Sequence, residues 1–335
     1  MYGNGYFYQM FRTAIPPGES EVKINLSDRI LCIGSCFANM VGRKLDEHKF
    51  TVKVNPYGII FNPESIFNLL DFSINHHFPA PHTYIKNQGI FYNYHLHSDF
   101  GSPDHRPLKD QVEQAIKSTA IWLSEADWLI LTFGTAIIYE RADNGETVAN
   151  CHKMPSRLFN KRFLTGEEIR GRFELLINRL KPLNRHLKVI LTVSPVRHIK
   201  DGLESNAVSK SILRVASHYL AENFAHVTYF PGYEIMMDDL RDYRFYERDM
   251  IHPSSVAEDY IWEMFGQSYF STDSRTFIGE WQKIRKALAH RPFHPQSENH
   301  RNFLKKLLMQ LHTINDTVDV RAEIEEIERQ LNDGN

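Results

Sequence analysis

Short apolar runs alternate along the chain with longer segments in which apolar residues recur every three or four positions. The short runs predict buried parallel strands, and the longer segments predict amphipathic helices that cross between them. Strands are expected at 29–33, 51–54, 128–133, 187–193 and 226–230. Helices are expected at 37–48, 63–72, 110–124, 167–179, 205–223 and 255–265. The alternation predicts an α/β fold, a doubly wound three-layer α/β/α sandwich around a mostly parallel five-stranded sheet.

Two inserts interrupt this alternation. Residues 78–107 are rich in His, Tyr, Asn and Pro, and residues 137–161 contain the turn sequence Asp143-Asn144-Gly145, which predicts the start of a hairpin. Both inserts are expected to leave the carboxyl side of the sheet, where open α/β folds place their functional sites.

Charged helical stretches follow the alternating part of the chain. They are expected at 276–289, 299–314 and 318–331, so we predict a main domain at 20–272 and a helical C-terminal extension at 273–335. The last stretch carries apolar residues at helical spacing, namely Val320, Ile324, Ile327 and Leu331. This apolar face packs either on the main domain or on a partner chain in a homo-oligomer, and the sequence leaves both open.

Composition narrows the classes of function. The 335 residues are 42% hydrophobic, which is enough for a large folded core. The chain has 39 Lys and Arg against 41 Asp and Glu, a net charge of -2, so no positive excess points to nucleic acid or to an anionic membrane. A small neutral or weakly polar substrate fits this balance better.

The cysteines and the apolar runs bear on the cellular compartment. Cys32, Cys36 and Cys151 are too few for a disulfide framework in a chain of this length. The first twenty residues lack the continuous apolar core of a signal peptide, and no apolar run approaches the roughly 18 residues of a membrane span. We therefore expect a cytoplasmic protein.

The first candidate for chemistry is Ser35, which follows the strand at 29–33 and Gly34 and precedes a helix. Glycine permits the unusual backbone conformation that such a turn needs, and the turn places Ser35 at the edge of the sheet. The Ser35 amide then lies at a helix N-terminus, where it can stabilise an oxyanion. Ser35 is thus a candidate nucleophile, and the simpler alternative is that it only caps the helix.

The second candidate is the segment Asp249-Met250-Ile251-His252, which lies between the last predicted strand and a helix with a capping-box pattern from Ser255 to Glu258. In a tight loop, Asp249 can reach Nδ1 of His252, fix its tautomer and leave Nε2 free to take a proton from a hydroxyl. An Asp-x-x-His segment alone is a weak signal, for which a structural role is the alternative.

Together, the early serine and the late Asp-x-x-His resemble the pattern of the SGNH/GDSL hydrolases. The sequence IGSCFA around Ser35 resembles the GSCFA family in particular. The resemblance continues through segments at 55–66, 132–140, 148–155, 192–203 and 249–254. The resemblance implies an SGNH-hydrolase-like, flavodoxin-like fold. It also implies that Ser35 is the nucleophile, that His252 is the general base and that Asp249 is the carboxylate that orients His252.

The resemblance further implies an oxyanion hole built partly from the backbone amides of Ser35 and Gly58. The wider superfamily has Gly-x-Asn after the central strand, but this sequence reads Gly134-Thr135-Ala136 and lacks the asparagine. The third donor is therefore open, and turn-forming or capping roles suit each candidate as well. The candidates are Thr135, Asn62 and Asn150.

Several other polar residues are expected near the site. The candidates for substrate contact are His97, His152, Arg197 and His198, with Lys153 beside His152. His95, His97 and Asp99 alternate as they would on one face of a strand, but no further acidic or cysteine ligands flank them closely. We therefore predict no metal and no cofactor. For the histidines, the simpler interpretation is a surface or core side chain whose hydrogen bonds are made within the protein.

Cys36 is the chemical rival of Ser35, because a position at a helix N-terminus can lower a thiol pKa. The inward face of the first helix also needs a small apolar residue there, and cysteine commonly serves as one. Packing on the inward face of the helix is the simpler explanation for a cysteine at position 36.

These patterns predict a serine esterase that hydrolyses ester bonds through an acyl-enzyme. The expected substrate is a small-molecule or carbohydrate ester, such as a carbohydrate O-acetyl group, and transfer to another hydroxyl would use the same residues. No nucleic acid or membrane partner is expected. The alternative class is a non-catalytic binding or scaffold protein that retains the fold.

Overall fold

A computed structural model of the protein describes residues 13–333. In chain order, its strands are β1 (Arg29–Gly34), β2 (Thr51–Val54), β3 (Tyr84–Asn87), β4 (Ile90–Asn93), β5 (Trp128–Phe133), β6 (Ile137–Arg141), β7 (Thr147–Val148), β8 (Phe159–Phe163), β9 (Lys188–Val193) and β10 (Val227–Phe230). Its helices are α1 (Cys36–Glu47), α2 (Pro63–Ile74), α3 (His105–Glu125), α4 (Gly166–Leu183), α5 (Gly202–Asn223), α6 (Gly232–Glu234), α7 (Ser255–Tyr269), α8 (Thr272–Leu288), α9 (Glu298–Ile314) and α10 (Arg321–Asp333).

Strands β2, β1, β5, β9 and β10 lie side by side in that order, and all of them run parallel. This arrangement confirms the predicted α/β sandwich. The chain first moves outward from β1 to β2 and then crosses back to β5, so a crevice is expected at the carboxyl ends of β1 and β5. The strand register aligns Gly34 with Thr132 and Thr132 with Thr192. The residues that follow these positions therefore lie at one edge of the sheet.

Both faces of the sheet are buried, because alternate residues of each central strand point to opposite sides and nearly all of them are apolar. On one face, Leu31 and Leu129 belong to the cluster formed with α2, α3, α4 and α5. On the other face, Cys32 and Ile130 belong to the cluster formed with α1 and α7. The helices thus cover the sheet from both sides and leave its carboxyl edge to the loops.

Two of the long helices begin several residues earlier than the apolar pattern predicts. Helix α3 begins at His105 rather than at residue 110, and α5 begins at Gly202 rather than at residue 205. First turns rich in polar and charged residues carry little apolar periodicity, so the pattern alone places their starts too late.

Both inserts form small antiparallel sheets. Strands β3 and β4 pair as a hairpin, which the composition of residues 78–107 did not predict, and β6 pairs with both β7 and β8. The hairpin expected after residue 137 is therefore confirmed. His95, His97 and Asp99 do not share the face of a strand, because the chain turns after Asn93, whose Oδ1 accepts a hydrogen bond from His95 N at 2.9 Å. A short 3-10 helix, Ser98–Phe100, follows the turn.

The C-terminal helices form a third apolar cluster, which includes Trp281, Leu311 and Ile327. Trp281 connects this cluster to the sheet domain, because its Nε1 donates a hydrogen bond to Glu47 O at 2.8 Å, at the end of α1. The apolar face predicted for the last helix thus packs within this chain, with Val320 and Ile327 buried.

The predicted domain boundary at residues 272 and 273 falls at the start of α8 and stays a prediction. Helix α8 contributes Ile278 to the cluster of α1 and α7, and Trp281 to the C-terminal cluster. No helix within residues 13–333 is both long enough and apolar enough to cross a lipid bilayer.

Candidate active site

Ser35 sits at the junction of β1 and α1 and is 2% exposed. Gly34 before it has φ +147°, and a Cβ there would lie 2.1 Å from Thr132 O, so only glycine fits this turn. Ser35 N donates a hydrogen bond to Thr132 O at 3.1 Å, and Ser35 Oγ accepts one from Phe37 N at 3.3 Å. The hydroxyl therefore caps α1 and lies where the helix dipole favours negative charge.

The loop between β2 and α2 holds the turn from the other side. Gly34 N donates to Asn55 Oδ1 at 2.8 Å, and Ile60 N donates to Gly34 O at 3.0 Å. Both backbone polar groups of Gly34 are thus satisfied by this loop, which fixes the peptide before the candidate nucleophile.

The same loop meets the end of β5 beside Ser35. Gly134 N donates to Phe61 O at 2.7 Å. A Cβ on Gly134 would lie 3.2 Å from Phe61 O and 3.2 Å from Ser35 Cβ. Three segments that are distant in the sequence therefore converge on the candidate nucleophile, as the strand order predicts.

Asp249 and His252 form the predicted pair in the loop before α7. His252 Nδ1 lies 2.7 Å from Asp249 Oδ2, while Asp249 Oδ1 accepts hydrogen bonds from Ile251 N at 2.8 Å and from His252 N at 3.0 Å. The hydrogen bond from His252 lowers the pKa of Asp249 to about 2, so its carboxyl group is ionised at neutral pH. A carboxylate at Nδ1 selects the tautomer in which Nε2 is free to accept a proton.

Arg197 links the loop of His252 to the carboxyl end of β9. Its guanidinium donates to Met250 O at 3.0 Å, and its backbone amide donates to Ile251 O at 3.3 Å. The guanidinium also lies 4.1 Å from the ring centre of Tyr246. These contacts orient Arg197 toward the loop, and a role in positioning His252 accounts for them better than the predicted substrate contact.

Ser35 and His252 differ in their surroundings. Ser35 is buried, whereas the side chains of His252 and Asp249 are each 44% exposed. Within residues 13–333 no hydrogen bond joins Ser35 to His252: the hydroxyl of Ser35 accepts from Phe37 N, and Nδ1 of His252 pairs with Asp249. Catalytic hydrogen bonds are often formed only when substrate is bound, so this arrangement is compatible with a nucleophile and its base.

The two backbone amides expected in the oxyanion hole already have acceptors. Ser35 N donates to Thr132 O at 3.1 Å, and Gly58 N donates to Asn55 O at 2.8 Å. An oxyanion at this edge would have to share or displace these bonds. The roles of both amides stay predictions.

The three candidates for the third donor differ in how their side chains are used. Thr135 is buried, and its Oγ1 contacts Ser209 Oγ at 3.0 Å. Asn150 Nδ2 donates to Ser98 Oγ at 3.1 Å. Asn62 Oδ1 caps α2, but its Nδ2 makes no hydrogen bond within the described residues. Only Asn62 therefore has an uncommitted side-chain amide, and it directly follows Phe61 beside Ser35.

His97 belongs to the first insert, which packs against the β2–α2 loop, and His152 belongs to the second insert. His97 lies over Gly58, where a Cβ would come 2.3 Å from His97 Cβ, and its Nδ1 pairs with Asp99 at 3.0 Å. His152 is 4% exposed, and its Nε2 lies 2.8 Å from Asn93 O. Burial lowers the pKa of His152 to about 4, so the ring is neutral at pH 7 and packs in the interior. Its contact with a polar group of a substrate stays a prediction.

His198 lies beside Phe61 of the β2–α2 loop. Its ring centre is 6.4 Å from that of Phe61, and its Nε2 is 3.9 Å from Asp201 Oδ2. Burial lowers the pKa of His198. A half-buried imidazole beside Phe61 is compatible with the predicted contact to a polar part of a substrate.

The surroundings of Cys36 do not favour thiol chemistry. Burial raises the pKa of the Cys36 thiol, opposite to the lowering expected from the helix N-terminus alone. Desolvation outweighs the helix here, and the thiol is protonated at neutral pH.

Comparison with models of protein families shows which family the chain belongs to. The model of the GSCFA family matches residues 29–265, which is more than half of the 335 residues and includes every candidate site residue. This chain belongs to the GSCFA family. A second model, described as the C-terminal domain of GSCFA domain proteins, matches residues 281–333. No curated protein matches the chain.

Two residues of this GSCFA protein take part in the site without having been predicted. Asn55 holds Gly34, as described above, and Lys210 on α5 donates hydrogen bonds to Gly134 O and Ser194 O, both at 2.7 Å. A signal for Lys210 was present, because it shares a helical face with the buried residues Asn206 and Leu213. No signal in the sequence connects Asn55 with Gly34.

Proposed function

We propose that this GSCFA protein is a serine-dependent hydrolase of ester bonds that acts by acyl transfer. Ser35 attacks the carbonyl carbon of the ester while His252 Nε2 takes its proton, and Asp249 stabilises the imidazolium that forms. The alcohol leaves with the proton returned by His252. Water, activated by the same histidine, then releases the acyl group from Ser35.

The geometry of His252 carries this proposal. Its Nδ1 is held by an ionised carboxylate at 2.7 Å, and its Nε2 has no hydrogen-bond partner within residues 13–333. A histidine that only supports a surface loop does not need a carboxylate that also binds two amides of the same loop. The link through Arg197 supports placing this loop at the carboxyl edge that carries Ser35.

The proposed substrate class is a small-molecule or carbohydrate ester, and a carbohydrate O-acetyl group is the first to test. The resemblance to SGNH/GDSL hydrolases motivates this choice, together with the near-neutral charge of the chain. We place the protein in the cytoplasm, and its three cysteines, all of them free, are compatible with a reducing compartment.

A binding protein that retained the fold is the second candidate. Ser35 Oγ acts as a helix cap, and the amides of Ser35 and Gly58 are already used within the chain. In such a protein, His252 would support the loop and Ser35 would be no more reactive than other serines.

The deciding experiment is labelling with a fluorophosphonate probe at pH 7.5, followed by mass spectrometry of the adduct. The serine hydroxyl displaces fluoride from phosphorus only when a base removes its proton, so labelling reports an activated serine. We expect an adduct on Ser35 in the native protein and none in Ser35→Ala or His252→Ala.

Two matched variants serve as controls. Ser98→Ala removes a different hydroxyl that lies 3.3 Å from a histidine nitrogen, Nδ1 of His152, and should leave the labelling of Ser35 unchanged. Cys36→Ser tests the thiol and should also label normally. Native protein that is folded and yet carries no adduct on Ser35 would instead support the binding protein.

A further inference from the structure

Lys210 is a lysine buried in the sheet domain without a carboxylate partner. It lies on α5, is 1% exposed and forms no ion pair with any residue among 13–333. Burial lowers its pKa to about 7. Taking an ammonium group out of water is costly unless strong hydrogen bonds replace the water. The position therefore calls for a reason beyond filling space.

The two carbonyl groups that Lys210 binds stand at the ends of adjacent strands. Gly134 O follows β5 and Ser194 O follows β9, and Nζ of Lys210 donates to each at 2.7 Å. The amide of Ser194 in turn donates to Phe133 O at 2.8 Å. One side chain thus holds two strand ends together at the edge that carries the candidate site.

Each of these strand ends leads to one half of the proposed catalytic machinery. Gly134 packs against Ser35, since a Cβ on Gly134 would lie 3.2 Å from Ser35 Cβ. Ser194 begins the loop that carries Arg197, whose guanidinium and amide hold Met250 O and Ile251 O next to His252. A path of direct contacts therefore runs from the nucleophile through Lys210 to the loop of the base.

We propose that Lys210 is a positioning residue that fixes the separation between Ser35 and the loop of His252, an assignment that rests on the proposed function. Nζ of Lys210 holds the β5 end and the β9 end in register through its two hydrogen bonds, which it can donate whether or not it is protonated. An apolar residue on α5 could fill the same volume, but it would leave both carbonyls without this donor. Lys210 contacts no reacting atom and is not a catalytic residue.

The first test replaces Lys210 with Met, which has a similar length and no donor. We expect Lys210→Met to stay folded, to bind the fluorophosphonate probe with an unchanged half-saturating concentration, and to lose about 10²-fold in the maximal rate of Ser35 labelling. Lys210→Arg keeps N–H donors at this position and should retain more of this rate. Lys181→Met, which removes an exposed lysine from α4, is the matched control and should match the native protein.

A readout that does not depend on activity separates the two proposals. Hydrogen exchange of backbone amides should become faster in Lys210→Met at residues 134–137, 195–199 and 249–254, and stay unchanged at α2, which lies outside the path. If native protein shows no labelling of Ser35, the proposed function fails and hydrogen exchange alone decides the role of Lys210. Unchanged hydrogen exchange in these segments of Lys210→Met, or a maximal rate of Ser35 labelling within twofold of native, would overturn the positioning role of Lys210.

A double variant tests whether Lys210 and Arg197 act along one path. If they do, combining Lys210→Met with Arg197→Ala should slow labelling by clearly less than the product of the two single effects, because the first change already breaks the path. Independent, multiplicative effects would contradict the proposal. If Lys210→Met does not fold, Lys210→Gln takes its place in all three measurements, since glutamine keeps N–H donors but is shorter and neutral.

Discussion

At the residue scale, the proposed function requires a buried serine and a half-exposed histidine to act together. Ser35 is 2% exposed beneath the loops of the carboxyl edge, whereas the His252 side chain is 44% exposed. Water competes for the exposed Asp249–His252 hydrogen bond, and a bound substrate would exclude some of that water. The reactivity of Ser35 therefore serves as the measure of how strong the Asp249–His252 hydrogen bond is when substrate is bound.

Asp249→Asn tests the carboxylate with almost no change of shape. The asparagine Oδ1 can still accept the amides of Ile251 and His252, but the negative charge that stabilises the imidazolium is lost. We expect the labelling rate of Ser35 to fall about 10²- to 10⁴-fold with an unchanged melting temperature. A rate within threefold of native would show that Asp249 only shapes the loop.

Asn62 is the candidate for the third oxyanion donor that the structure leaves uncommitted, and its two functions can be separated. Its Oδ1 caps α2 through Ser65 N, a role that serine also performs well, so Asn62→Ser should keep the helix stable. Loss of the Nδ2 donor should cost about 10²- to 10³-fold in the turnover of an ester substrate. Asn150→Ser is the control, because Asn150 Nδ2 is bound to Ser98.

The result for Asn62 is clear in either direction. A turnover close to native in Asn62→Ser, with the fold intact, would return the role to Thr135 or to backbone amides. Equal losses in Asn62→Ser and Asn150→Ser would point to a disturbed loop rather than to a missing donor.

At the scale of elements, the inserts are held by buried polar contacts. His152 stacks on Tyr92 at 4.6 Å between ring centres, and its Nε2 lies 2.8 Å from Asn93 O, at the end of β4. His152 and Lys153 also have positive φ values of 47° and 57°. Such backbone conformations persist only where surrounding contacts hold them, and the contacts of His152 are the ones that do so here.

The buried His152 predicts a stability that falls in mild acid. Burial lowers its pKa to about 4, so in the window from pH 6.5 down to 4.5 the unfolded chain binds a proton at this position and the folded chain does not. The free energy of unfolding should therefore fall by about 2 kcal/mol across this window because of His152. Glu146, whose pKa the hydrogen bond from His95 lowers to about 2, contributes its own loss only below this window.

Urea unfolding of native protein and His152→Gln at pH 6.5 and pH 4.5 measures this contribution. The variant should lose less stability than native protein between the two pH values, even though it is less stable at pH 6.5. His218→Gln, a substitution of an exposed histidine on α5, should keep the native pH dependence. If His152→Gln loses as much stability as native protein, another group is responsible.

At the scale of the whole molecule, the C-terminal helices are joined to the sheet domain by a few specific contacts. Trp281 donates to the end of α1, and Lys49 pairs with Glu323 of α10 at 2.6 Å. These contacts lie at the end of α1 opposite Ser35, which caps its start. The extension thus supports α1 from the side remote from the candidate site.

Leu311→Ala should therefore separate stability from reactivity. Leu311 is fully buried in the C-terminal cluster, so its truncation should cost about 2–5 kcal/mol of unfolding free energy. In the protein that remains folded at 20 °C, the labelling rate of Ser35 should be native. Met309→Ala on the same helix is the control, since Met309 is 64% exposed and should be nearly neutral. A slower labelling in folded Leu311→Ala would mean that the extension acts on the site.

Much of the fold could be predicted because it depends on local patterns. The strand at Trp128–Phe133 was placed at its observed bounds, since six consecutive apolar or β-branched residues have few other stable environments. The start of α3 and the β3–β4 hairpin could not be predicted, because polar first turns and short, half-buried strands carry no comparable signal.

For the candidate site, the sequence by itself determined the chemical groups and their local geometry. Ser35 follows a glycine at the start of a helix, and Asp249 can reach His252 across three residues, because both relations depend on neighbours in the chain. That a side chain at position 34 would collide with Thr132 O is a tertiary contact. Only the tertiary structure decided which amides are already used, that Asn62 keeps a free donor, and that Lys210 joins the ends of β5 and β9. These features depend on the register of strands and on contacts between residues far apart in sequence, which no local pattern encodes.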